Sequence, residues 1–163
     1  MTTVSALTAE QFLNHWKGHR SLTRKTIEAF PEEKLFSYSI GGMRTFGEIM
    51  LEVASIAYYG VEGVTTGTWR NIENLPYYTT EKTITTKQQL LEFWDKTTTY
   101  IDQEWEKLLS LDFEQHIKSF EIYENTIASS MLYWIDNEVH HRGQGYVYLR
   151  TLGITPPFFW ERF

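Results

Sequence analysis

Asp136-Asn137-Glu138-Val139-His140-His141-Arg142-Gly143-Gln144 (DNEVHHRGQ) places acid, amide, imidazole and guanidinium groups inside a segment whose flanks are apolar at helical spacing. Ile127, Met131 and Trp134 precede it, and Gly145 and Tyr148 follow it, so a single inner stripe runs through Asn137 or Glu138 and then His141. The spacing predicts a helix from near Asn125 to about Leu152, stopped by Gly153 and Pro156-Pro157. A buried stripe that carries ionisable groups marks either a satisfied polar core or the wall of a site.

Three more helices are expected upstream. Thr8-Ala9-Glu10-Gln11, Thr45-Phe46-Gly47-Glu48 and Thr86-Lys87-Gln88-Gln89 each have the hydroxyl-x-x-acid/amide form of a capping box. Behind the first, Phe12, Trp16, His19, Leu22 or Thr23, Ile27 and Phe30 recur at helical spacing until Pro31. Ile49, Val53, Ile56 and Val64 follow the second box, and Leu90, Thr97, Ile101, Trp105 and Leu108 the third. The stretch from Gly67 to Thr86, with Pro76, Tyr77-Tyr78 and many Thr, reads as a long connection, and Phe120-Glu121-Ile122-Tyr123 alternates like a short extended piece. The expectation is an all-α four-helix bundle with long crossover connections, built as one domain over residues 1–163.

Composition narrows the function. The 163 residues carry a formal net charge of −6 and no basic run, which argues against nucleic acid and anionic membrane as partners. With no Cys there is no disulfide, thiolate ligand or cysteine nucleophile, in keeping with a cytoplasmic setting. The start MTTVSALTAE lacks the basic and apolar regions of a signal peptide. Apolar runs fall short of the ~18 to 20 residues of a membrane span. No glycine-rich phosphate loop or serine nucleophile elbow is present.

Asn137 and His141 are four residues apart and project from one helix face, a spacing that lets two side chains hold one ion. Glu52 lies at the edge of the second helix's apolar stripe, where an unpaired carboxylate is costly to bury. It could share a cation with His141, pair with Arg142 or His141, or face solvent. Glu138-x-x-His141 matches half of a di-iron carboxylate motif, but a second copy is lacking. His15 and His19 form another i,i+4 pair; a partly exposed pair beside Trp16 is preferred to a metal clip or a substrate-facing His19.

The segment DNEVHHRGQGYVYLRTLGITPPFFWERF resembles the DinB-like family of four-helix metalloenzymes, and SLTRKTIEAFPEEKL and GGMRTFGEIMLEVA agree with it. The resemblance implies a homodimeric bundle binding one divalent ion, through a histidine on the second helix and a His-x-x-x-His pair on the fourth. Those positions fall on Glu52, Asn137 and His141. Only His141 keeps the usual ligand; the Asn137 amide is a poor donor to zinc. The expected cofactors are a divalent ion (zinc, nickel or manganese) and a low-molecular-weight thiol cosubstrate. The implied activity is a thiol-dependent S-transferase or isomerase acting on a small molecule. The alternative is a metal-free homodimeric binding or interaction module that has lost this site. Arg142 and Gln144 are expected to brace the base of the site, Arg142 on a carboxylate and Gln144 on backbone, with His19 or Tyr59 reaching substrate.

Overall fold

All three capping boxes close as their sequences require: Thr8, Thr45 and Thr86 each accept from the backbone three residues on, and Gln11, Glu48 and Gln89 each reach back to the cap backbone. The computed structural model describes residues 7–80 and 82–163. The start of the chain, residues 1–6, and residue 81 lie outside them. The helices are α1 (Ala9–Ala29), the short α2 (Glu32–Leu35), α3 (Phe46–Thr66), α4 (Lys87–Leu109) and α5 (Ile127–Thr151). Sequence reading did not anticipate α2, a single turn behind Pro31. The expected four-helix bundle is formed by α1, α3, α4 and α5. No helix among the described residues is long and apolar enough to cross a membrane.

Side-chain pairs give the helix directions. Trp16 meets Trp134 and Thr23 meets Glu138, so α1 and α5 run parallel. Phe12 stacks on Trp105 while Arg24 binds Asp95, so α4 runs against α1. Gly60 faces Trp134 and Gly145 faces Phe46, so α3 runs against α5. The bundle is therefore up-down-down-up, with α1 and α3 packed on α4 and α5 but diagonal to each other. This order makes the neighbours α3 and α4 parallel, so the connection after α3 must return the length of the bundle, while the diagonal steps α1–α3 and α4–α5 cross its ends. The glycines draw α3 and α5 together: a Cβ on Gly60 would stand 2.6 Å from the Trp134 ring, and one on Gly145 would overlap Phe46.

Two apolar clusters fill the bundle, one around Trp16, Ile101, Trp105, Met131 and Trp134, the other around Ile27, Phe46, Met50, Trp94 and Tyr148. Burial of these large rings supplies most of the core's transfer free energy, at roughly 25 cal/mol per Å² of apolar surface. Between them, a buried polar layer crosses the interior at Arg20, Thr23, Glu138 and Arg142.

The α4–α5 crossing folds into an antiparallel hairpin, β1 (His116–Ser119) and β2 (Tyr123–Thr126), with Ser119 opposite Tyr123. The expected extended piece at 120–123 is instead mostly the turn. Phe120 and Glu121 take φ of 53° and 64°, left-handed values that strain L-residues by roughly 1–2 kcal/mol each. Burial of the Phe120 ring against Trp69, centroids 5.4 Å apart, offsets this and pins the hairpin to the bundle. The 67–86 connection is ordered by a 3-10 turn at Ile72–Asn74 and by fully buried Leu75.

Candidate functional site

A cavity of about 410 Å³ opens in the groove between α3 and α5. Glu52 and Ile56 on α3 and Ser130, Tyr133 and Trp134 on α5 form its walls. Ile72 and Tyr78 roof it from the 67–86 connection, and the hairpin closes the far side with Phe120, Ile122 and Tyr123. The long connection thus bears on the pocket. Asn137 and His141 continue the Tyr133 stripe of α5 by one and two turns.

The three expected ligands sit on this seam, each with its own environment. The Glu52 carboxylate is only 12% exposed and is ion-paired with Arg44, which donates to Oε2. Arg44 also donates to the Tyr77 hydroxyl and lies over that ring, while its own carbonyl accepts from the Tyr148 hydroxyl at 2.8 Å. Burial works against the Arg44 charge, but the bonds to Tyr77 and Glu52 outweigh it and hold its pKa above the ordinary value. His141 is half-buried, and desolvation lowers its pKa against the opposing pull of Gln144 and Glu52. Its Nδ1 lies 2.8 Å from Gln144 Oε1, so the neutral ring donates there and keeps Nε2 as an unprotonated acceptor. The buried Nδ2 of Asn137 has no hydrogen-bond partner.

Deeper in the bundle lies an array that sequence reading did not assemble. Thr23 donates to Glu138 Oε1 at 2.6 Å, and Arg20 and Arg142 bring guanidinium nitrogens to 3.7 and 3.9 Å from the same carboxylate. Arg20 also donates to Thr98 and the Trp94 carbonyl and stacks over the Trp94 ring at 4.1 Å. Arg142 donates to Thr23, the His19 carbonyl and His19 Nδ1. With Nδ1 accepting, His19 carries its proton on Nε2 and donates to His15 Nε2 at 3.1 Å. Desolvation, then Arg142, Arg162 and His15, push the His19 pKa down to about 3. Burial raises the pKa of Glu138 despite Arg20, Thr23 and Arg142, and lowers that of Arg20 to about 10.

The whole chain, residues 1–163, matches the sequence model of the DinB family. The chain belongs to the DinB family. Among solved structures it is similar to a DinB-like protein of Bacillus cereus, at 22% identity and TM-score 0.66, covering 91% of this chain and 95% of that one. A DinB-like protein of Bacillus subtilis gives 18% identity and TM-score 0.67 over 91% and 97% of the two chains. A DinB-family protein of Exiguobacterium sibiricum gives 19% and 0.69 over 97% and 100%. At these identities the likeness is one of fold. No curated protein matches the chain.

Several expectations for this DinB-family chain need correcting. The inner stripe of α5 passes through Glu138 and Arg142, which are buried, while Asn137 and His141 stand half-buried on its flank. Glu52 pairs with Arg44 rather than with Arg142 or His141. The His15–His19 pair is partly exposed as expected, but only through His15, since His19 is buried at 5% exposure. Gln144 binds His141 and lies 3.4 Å from His140 instead of capping backbone. Tyr59 packs under Arg70 and does not line the pocket.

The donor set does not fit a tightly held divalent ion. A cation on Glu52 would stand against the Arg44 guanidinium, which already neutralises that carboxylate. At Asn137 only the neutral amide Oδ1 could face a cation, a weaker ligand than imidazole or carboxylate. Among the described residues no three His, Asp, Glu or Cys side chains converge as metal ligands.

Proposed function

We propose that this DinB-family chain is a binding module that holds a small molecule in the α3–α5 pocket without a divalent ion. The Glu52–Arg44 pair takes the position where the family resemblance implies a cation. One observation carries this reading: the only carboxylate among the expected ligands is occupied by a guanidinium anchored from two further sides, by Tyr77 and by the Tyr148 hydroxyl on its carbonyl. The pocket's size and its mixed aromatic and polar walls suit a small organic ligand. Exposed Leu132, Val139 and Val147 on α5, with Phe158 to Trp160 beyond it, supply apolar surface for a second copy of the chain, so the proposal includes a homodimer.

The metal-dependent reading, a thiol-linked transferase or isomerase, keeps one supporting feature. His141 is neutral with Nε2 unprotonated, the form in which imidazole ligates. Elemental analysis and titration calorimetry with zinc, nickel and manganese separate the two. For protein purified without chelator or affinity nickel, no stoichiometric ion and no binding tighter than millimolar are expected. Arg44→Met, which frees the Glu52 carboxylate, should bind zinc more tightly than wild type. One equivalent of a single ion in wild type, lost in both His141→Ala and Glu52→Gln, would overturn the metal-free reading.

A further inference from the structure

The pocket walls carry information about their ligand. Five aromatic rings surround the space: Tyr78 above, Phe120 and Tyr123 from the hairpin, Tyr133 and Trp134 from α5. Tyr78, Ile122, Tyr123 and Tyr133 are all strongly exposed, the two last at 58%, so large apolar groups collect at one mouth instead of packing away. The charged groups among the described lining residues are both carboxylates, Glu52 and Glu124. Arg44 neutralises the first, which leaves Glu124 as the lining carboxylate that can face a ligand's charge. Tyr78 is pushed up to about 12 and Tyr133 is raised as well, by burial first and then by the Glu52 charge, so the space disfavours added negative charge.

Each of these features favours a positive guest. Aromatic faces are the negative pole of the ring quadrupole and attract cations, most strongly those with little hydration to lose. A phosphate, carboxylate or thiolate would meet aromatic rings and carboxylates, with no cation among the described lining residues. A hydrated metal ion would leave the apolar walls Ile56, Ile72 and Ile122 unused. Resting on the metal-free reading above, we propose that the α3–α5 pocket binds an organic cation, an alkylammonium ion whose apolar substituents lie on the aromatic rings and whose charge faces Glu124.

Choline and its neutral tert-butyl isostere differ only in one charged nitrogen, so titration calorimetry with the pair isolates the charge. Choline should bind, and more tightly than the isostere. Tyr133→Leu and Glu124→Gln, both at exposed positions that the core does not depend on, should each weaken choline binding roughly 2- to 30-fold and leave the isostere unchanged. Equal binding of the two compounds would overturn the cation proposal and leave an apolar, metal-free pocket standing. Absence of binding by both would overturn it too, with the metal titration then deciding the broader reading. Choline binding together with stoichiometric zinc would sink the metal-free reading and keep the cation site.

Discussion

Glu138→Ala is expected to lower the unfolding free energy by about 3–5 kcal/mol, because it strands charge in the bundle interior. The Glu138 carboxylate is 1% exposed and faces Arg20, itself 1% exposed, and Arg142. Removing it leaves two guanidinium groups between two apolar clusters with no counter-charge and takes the acceptor from Thr23. The surface pair Arg70–Glu62 is the natural comparison, since Arg70 is half exposed and water screens it. Glu62→Ala should change stability by less than about 1 kcal/mol. Urea unfolding of both variants makes the comparison, and a loss below about 1 kcal/mol for Glu138→Ala would mean that the layer is hydrated rather than sealed.

His19 should make this protein acid-sensitive. Its folded pKa of about 3 lies below the unfolded value near 6.5, so between these values the unfolded chain binds a proton that the folded chain refuses. Stability from His19 is complete above the unfolded pKa and is lost progressively as pH falls from about 6.5 towards 3. Arg142 and Glu138 on α5, His15 on α1 and Arg162 all act on or near the ring. Glu138 opposes the trend, since its raised pKa favours the folded state as acid protonates it. The His19 contribution therefore shows in a difference, wild type against His19→Gln, whose amide oxygen can still accept from Arg142. The stability difference should shift steadily against wild type below about pH 6.5 and level off above it. A difference that does not vary with pH would place His19 in water.

What the sequence disclosed and what it hid follow one physical division. Helix starts were legible because TAEQ, TFGE and TKQQ each complete their hydrogen bonds within four residues. The all-α bundle follows from apolar spacing for the same local reason. The choice between Asn137 and Glu138 for the interior was not legible, since the two lie about 100° apart and a stripe of that width admits either. What decides it is Thr23 and Arg20, more than a hundred residues upstream. Arg44 was hidden in another way. It lies in a loop after Gly41-Gly42, and only the folded crossing, tied by Tyr77 and Tyr148, brings it onto Glu52. The far wall of the pocket depends on left-handed Phe120 and Glu121, conformations that their side chains do not announce.

The Glu52–Arg44 pair is where the account stands or falls, and an anomalous-scattering crystal structure grown in excess zinc examines it directly. The account predicts the Arg44 guanidinium on Glu52, His141 bound through Nδ1 to Gln144, and no anomalous peak between α3 and α5. A zinc peak bridging Glu52 and His141, with Arg44 displaced, would contradict it.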